Sequence, residues 1–408
     1  MAYENIKLKY ANFTINGGYF FTFTHTNDVM YKKNTRGNTV FTYPLDTSLS
    51  NIPVLEVCCD GINFWTLQAG STATVSNVRV IRKWRIDRNI CKLINTFTFG
   101  NATEYFTSDT FAIEASCDYL LDDILSGSTY LTLSPTFSQE VPAGTVLTIG
   151  PNSDGFCEEV TVTGTIFSNT FGLDFYTSLD HSAGEAVSFV TNLWLFNNYK
   201  GVVLSPLLLR YNLINYEFDY SLVDPSFTSM GSSTFYRDAE NTNYILYVYG
   251  TALKFFNVDQ KETVKAFTMD NIRVDGSTVI PIYGLEVEND TLYRLQNYMK
   301  YFEVNYSMST YNYQCSTLRP FVDSISMEVY PKILPANGVS EATVTTIIQD
   351  QYGDPAQYKV AHISDDDSSG YLTITTPLTN LQGVAISYYR AGLSVRSATI
   401  TALATQYD

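Results

Sequence analysis

A hairpin signature at residues 243–259 limits what this chain can fold into. Tyr244, Ile245, Leu246, Tyr247, Val248 and Tyr249 form one apolar run, Gly250-Thr251 supplies a turn, and a second run follows from Leu253 to Val258 before Asp259. The alternation is imperfect, which predicts strands covered on both faces rather than half exposed to water. Related pairs recur. Asn63-Phe64-Trp65-Thr66-Leu67 precedes Val80-Ile81-Arg82-Lys83-Trp84-Arg85-Ile86-Asp87, and Leu193-Trp194-Leu195-Phe196 precedes Leu207-Leu208-Leu209-Arg210-Tyr211-Asn212-Leu213. Asp290-Thr291-Leu292-Tyr293-Arg294-Leu295 is a shorter echo. Strands of this kind must be stacked against others, and the repeat predicts the blade hairpins of an all-β β-propeller.

Composition agrees with strands. The 31 Tyr and 25 Phe residues favour extended backbone, and helical Ala/Glu/Lys/Leu patterns are almost absent. A hydrophobic content of 45% with 16% charged residues excludes disorder, and 408 residues suffice for two or three domains. The net charge of −16 excludes binding nucleic acid through its phosphates and disfavours anionic lipid. No run of 18 apolar residues exists, so no membrane insertion is expected. Residues Met1-Ala2-Tyr3-Glu4-Asn5 lack a basic region followed by an apolar core, so the expected protein is made in the cytoplasm without a secretory signal.

Residues 1–127 read as short strands and tight turns. Tyr19-Phe20-Phe21-Thr22-Phe23-Thr24, Val29-Met30-Tyr31-Lys32-Lys33 and Thr39-Val40-Phe41-Thr42-Tyr43 make most of one meander, and Val54-Leu55-Glu56-Val57-Cys58-Cys59 opens the next. The hairpin pattern resumes after residue 190 and runs to about 320. Together 1–127 and 191–320 hold about 255 residues, which at roughly 40–45 per blade predicts about six blades, with seven the alternative count.

Residues 128–190 differ, alternating cleanly at period two. Val141-Pro142-Ala143-Gly144-Thr145-Val146-Leu147-Thr148-Ile149-Gly150, Glu158-Glu159-Val160-Thr161-Val162-Thr163-Gly164 and His181-Ser182-Ala183-Gly184-Glu185-Ala186-Val187 resemble a small β module common in phage virion proteins. The resemblance implies an inserted β domain and says nothing about catalysis. Residues 321–408 carry Ala336-Asn337-Gly338, Glu341-Ala342-Thr343-Val344-Thr345, Asp350-Gln351-Tyr352-Gly353-Asp354-Pro355 and Gly383-Val384-Ala385-Ile386-Ser387-Tyr388-Tyr389, closing on Ala391-Gly392 and Ile400-Thr401-Ala402. In order and spacing these resemble the bacterial immunoglobulin-like domain of the invasin and intimin type. That implies a C-terminal β-sandwich acting as a spacer or adhesive tip.

Reactive chemistry finds little support. His25, His181 and His362 share no metal-ligand spacing, and His181 falls in the module motif, where a turn role is expected. No nucleophile elbow, phosphate-binding loop or dinucleotide fingerprint occurs. Six cysteines (Cys58, Cys59, Cys91, Cys117, Cys157, Cys315) lack zinc spacing and read as small buried hydrophobes, with Cys58 and Cys59 on opposite strand faces. Asp60, Asp87, Asp219, Asp259 and Asp290 lie near strand ends, where a propeller glycosidase would place two carboxylates. Asp is equally a turn residue, and nothing singles out a pair. The run Asp365-Asp366-Asp367 could ligate Ca²⁺ but lacks EF-hand spacing, so a solvated loop is expected. No catalytic, metal-binding or cofactor-binding residue is therefore assigned, and no cofactor is expected.

These features and both resemblances imply a non-enzymatic structural protein of a tailed-phage particle, located in the virion. The propeller would be an assembly platform contacting other virion proteins, in a homo-oligomeric ring or in multiple copies. The terminal domain would project outward, toward host-surface glycans. The alternatives are a bacterial surface adhesin and a carbohydrate-active propeller enzyme.

Overall fold

The aromatic and β-branched runs form strands throughout. The computed structural model describes residues 13–34, 37–70, 78–100, 106, 110–135, 137, 139, 141–167, 169–200, 203–224, 230–238, 241–249, 252–268, 282–288, 291–297, 311–317 and 321–405, and these contain no helix. The chain divides into two units, one of Met1–Val264 and Thr268–Ser316, the other of Lys265–Phe267 and Thr317–Asp408.

The first unit is built from consecutive antiparallel meanders. Strands β1 (Thr14–Asn16), β2 (Tyr19–Thr24), β3 (Val29–Lys33) and β4 (Thr39–Pro44) form the first sheet. The second contains β5 (Val54–Cys59), β6 (Asn63–Ala69), β7 (Arg79–Asp87) and β8 (Ile90–Phe99). The third opens with β9 (Phe111–Tyr119), after which the chain leaves to make β10 (Tyr130–Thr132), β11 (Val146–Ile149), β12 (Glu158–Phe167) and β13 (Thr170–Leu173). It returns along β14 (Ala186–Lys200), which pairs with β9, and continues into β15 (Val203–Asn212) and β16 (Glu217–Val223). The fourth sheet is β17 (Met230–Arg237), β18 (Asn243–Tyr249), β19 (Ala252–Asn257) and β20 (Glu262–Thr268). The fifth is β21 (Ile282–Glu288), β22 (Thr291–Asn297) and β23 (Tyr311–Thr317).

Apolar faces of successive sheets pack on one another. Phe21, Phe23 and Met30 of the first sheet meet Val57, Phe64 and Trp84 of the second. Trp65, Leu67 and Ile81 on the opposite face of the second meet Phe111, Leu193 and Leu195 of the third. Trp194, Phe196 and Leu208 of the third then meet Ile245, Tyr247 and Phe256 of the fourth. A sheet covered on both faces needs apolar residues at consecutive positions, which is why β6 and β18 are buried almost without alternation. Cys58 and Cys59 obey the pleat: Cys58 joins the cluster toward the third sheet and Cys59 packs toward the first.

The first strand of each sheet lies innermost. β1 lies against β5, β5 against β9, β9 against β17, β17 against β21, and β21 against β1. This closed circuit of first strands is a propeller-like arrangement. Among the described residues five sheets take part in the circuit.

The inset is a core of its own. Leu131, Leu133, Leu147, Ile149, Val162, Phe171, Val187 and Phe189 surround one apolar centre, joined by Leu120 and Ile124 ahead of residue 128. β14 belongs to both parts. Its first residues pair with β11, and its later ones pair with β15.

In the second unit, β24 (Val322–Tyr330), β25 (Glu341–Asp350), β28 (Val384–Arg390) and β27 (Tyr371–Leu372) make one sheet. A second sheet pairs β26 (His362–Asp365) with β29 (Ile400–Leu403). Val344, Ile348, Ile363, Leu372 and Ala385 fill the space between them. Here burial alternates residue by residue along β25 and β28, as expected where one face meets water.

Candidate functional site

The circuit of first strands brings together a polar cluster that the turn aspartates did not announce. Leu55-Glu56-Val57 on β5 and Leu285-Glu286-Val287 on β21 are the same tripeptide, each placing a glutamate in an apolar strand. Both carboxyls are buried, with relative exposures of 7% for Glu56 and 6% for Glu286. A carboxylate cannot stay in such a place without donors around it.

The neighbouring first strands supply them. Glu56 Oε2 accepts the Phe111 amide of β9 at 2.8 Å, and Glu56 Oε1 accepts the Ser232 hydroxyl and the Ser233 amide (3.3 Å) of β17. Glu286 Oε2 accepts the Thr14 hydroxyl of β1 at 2.9 Å, and its Oε1 accepts the Thr234 hydroxyl of β17 at 3.1 Å. Thr110 and Ser233 share a hydroxyl contact of 2.8 Å beside them. Register irregularities help to aim these groups. The pairing of β5 slips between Val54 and Glu56, and that of β17 slips between Met230 and Ser233, as an extra residue does when it re-aims a side chain. Each glutamate thus ties its own sheet to two others.

Burial pushes both carboxyls up, Glu56 to about 7 and Glu286 to about 8, against the lowering by their hydrogen bonds; the Glu56 charge raises Glu286 further. Desolvation favours the protonated, neutral acid, and no cation among the described residues contacts either carboxyl to offset it. Burial first, and then neighbouring carboxyl groups (Glu286 and Glu56 for Cys58, Asp60 and Glu286 for Cys59), hold both thiols well above the ordinary value. Cys58, Cys59, Cys91, Cys117 and Cys157 are free; burial pushes Cys157 up to about 12, which disfavours its thiolate at neutral pH, while Cys117 is exposed rather than the buried hydrophobe expected.

The residues weighed from sequence lie elsewhere. Asp60 is buried and saturated: Oδ1 accepts from the Ile62 and Asn63 amides and the Ser188 hydroxyl, and Oδ2 accepts from Asn63 Nδ2 and Trp65 Nε1. It fastens the β5–β6 turn to β14. Asp87 pairs with Arg85 (3.4 Å) and Lys92 (3.1 Å), and Asp219 pairs with Arg210 at 2.7 Å. Asp259 sits exposed in the turn after β19, and Asp290 lies outside the described residues. No two of the described four are brought together as an acid pair by any of these contacts.

His25 lies in the β2–β3 turn and His362 starts β26. His181 is buried between Glu158 Oε1 at 3.0 Å and Glu185 Oε2 at 2.7 Å. Burial lowers its proton affinity, but the two carboxylates more than reverse this and raise it overall. Glu158 is held below its usual range by His181 and by the Ser178 amide and hydroxyl, despite burial. In the second unit Asp367 accepts from the Tyr389 hydroxyl, the Ser369 and Gly370 amides and the Ser369 hydroxyl. The Tyr389 bond leads the causes that hold it down to about 2. Asp365 accepts the Asp367 amide and Asp366 the Thr399 amide, so the acidic run is knotted by local bonds. Among the described residues no three His, Cys, Asp or Glu side chains are grouped to hold a metal.

An all-β chain with a propeller-like first unit is the class these observations define. No family model and no curated protein matches it. Among solved structures it is similar to the major allergen Mala s 1 of Malassezia sympodialis (TM-score 0.35, 9% identity, 76% of this chain and 94% of that one). It is also similar to the endosialidase of phage phi92 (TM-score 0.32, 9% identity, 97% and 68%). A luciferin-regenerating enzyme follows (TM-score 0.29, 10% identity, 78% and 94%). Likenesses at this level carry no part of the functional reading.

Proposed function

We propose that the first unit is a five-bladed β-propeller with a β module inset in its third blade, that the second unit is an immunoglobulin-like sandwich, and that the protein is a non-enzymatic structural component of a tailed-phage particle. The observation that supports a scaffold is the use made of Glu56 and Glu286. Their four carboxyl oxygens are engaged by hydroxyls and amides of neighbouring sheets, so the acids nearest the centre act as struts between blades. A hydrolytic pair must keep one carboxyl open to a substrate oxygen and the other to its anomeric carbon or a water. Neither glutamate has that freedom.

In this reading the propeller contacts other particle proteins or further copies of itself, and the second unit serves contact with the host surface. Fold analogy motivates the particle role, and the two resemblances in the sequence specify it. The test is mass spectrometry and image reconstruction of purified particles. Many copies of the chain traced at a fixed position support the reading; its absence from particles, or release of sugar from polysaccharides by the purified chain, refutes it.

A further inference from the structure

A separate cleft of about 170 Å³ lies where the second sheet, the inset module and the β15–β16 turn meet. It is too small for a drug-sized ligand and holds about five waters at about 30 Å³ each. The turn at Leu213, Ile214 and Tyr216 forms one wall and approaches the module closely at Gly144. A Cβ built at Gly144, where φ is +87°, would fall 2.9 Å from Ile214 Cγ2. The absent side chain lets the two walls close in.

Two features of the lining point to a ligand. Lys83 and Glu159 lie 2.7 Å apart, with Lys83 also 3.4 Å from Thr148 Oγ1, so a hydrogen-bond donor and an acceptor stand side by side with no net charge. The remaining surface includes aromatic carbon: Phe97 is half-buried and Tyr216 is 58% exposed. Trp65 closes the floor with its indole N–H already committed to Asp60.

We propose that this cleft binds one pyranose ring of a neutral saccharide. Two adjacent hydroxyls of a sugar accept from an ammonium and donate to a carboxylate held beside it, which the Lys83–Glu159 pair offers. The pair's neutrality disfavours a charged ligand, and the C–H face of the ring suits the aromatic wall. The inference is independent of the particle assignment, since a scaffold without this site and a sugar-binding protein outside a particle are both testable.

The experiment is saturation-transfer NMR and calorimetric titration of the full chain with the methyl glycosides of glucose, galactose, mannose and N-acetylglucosamine. One ring of about a dozen heavy atoms should bind with Kd of roughly 1–10 mM. Tyr216→Gly removes the aromatic wall while suiting the backbone there, whose φ is +60°. It should weaken binding about fivefold. Glu159→Gln, which keeps the size and removes the carboxylate beside Lys83, should weaken it by about threefold to tenfold. Fluorescence of the buried tryptophans verifies that both variants are folded. If no glycoside binds below roughly 50 mM, or if neither folded variant changes the affinity, the assignment is wrong.

Discussion

Replacing Glu286 by Gln removes a titrating group and keeps its size, so it isolates the electrostatic cost of the central cluster. The acid's ordinary value is 4.5 and burial raises it to about 8. Between these values the native state holds a proton that the unfolded chain releases, so stability is greatest below pH 4.5 and falls as pH rises. The slope approaches about 1.4 kcal/mol per pH unit, and the loss from this one group between pH 5 and pH 7 is about 2.5 kcal/mol. Glutamine can accept Thr14 or Thr234 through its oxygen and donate to the other hydroxyl, so the variant should match the parent near pH 5. By pH 7 it should be the more stable protein by about 2.5 kcal/mol. Urea unfolding followed by tryptophan fluorescence measures this directly, because Trp65, Trp84 and Trp194 are all buried in the first unit. Subtracting the two curves at each pH cancels every group the variant retains. A difference that stays constant from pH 5 to pH 7 would show that the glutamate is not held neutral by burial, and the reasoning fails.

Other perturbations should behave as follows. His181→Ala leaves Glu158 and Glu185 without their shared partner and should destabilise the module by about 3 kcal/mol, read as a fall in unfolding midpoint. In the parent, the raised His181 contributes stability that is complete below pH 6.5 and is lost as pH climbs through its folded value. The lowered Glu158 contributes stability present above pH 4.5 and lost as pH falls through its own, so the module's urea unfolding midpoint should be highest between these limits. Gly61→Ala meets both a φ of +103° and the Cys117 sulfur 2.6 Å from the new Cβ, and should cost about 2–4 kcal/mol by denaturant titration. Asp367→Asn should lower the melting temperature of the second unit, and millimolar Ca²⁺ should leave the parent's unchanged. A calcium-induced rise would mean that its carboxylate is not committed to Tyr389, Ser369 and Gly370.

Strand pairs were legible in the sequence because their cause is local. Aromatic and β-branched runs around short turns dictate β18 and β19 whatever surrounds them, and unbroken apolar character marks β6 as covered twice. Unit-wide closure was not legible in the same way. The Thr14–Glu286 bond joins residues 272 apart, and no pattern along the chain states that β1 and β21 are neighbours. Among the aspartates near strand ends, Asp60 sits there for the local reason that its oxygens cap the following amides. The usable signal was subtler: a glutamate inside an otherwise apolar strand, repeated as Leu-Glu-Val in two sheets. A charge in such surroundings has to be neutralised or hydrogen-bonded, whereas an aspartate in a turn needs no further reason to be present.

The fifteen-residue β14 has a mechanical consequence. One uninterrupted backbone is a rib of the inset at its start and a rib of the third sheet further along, so no hinge separates the two. Tension applied to the inset runs straight into the larger body through covalent bonds and shared ladders. Fraying at the junction around Val190 must loosen both sides at once, and the pair should yield to force or heat as a single cooperative block.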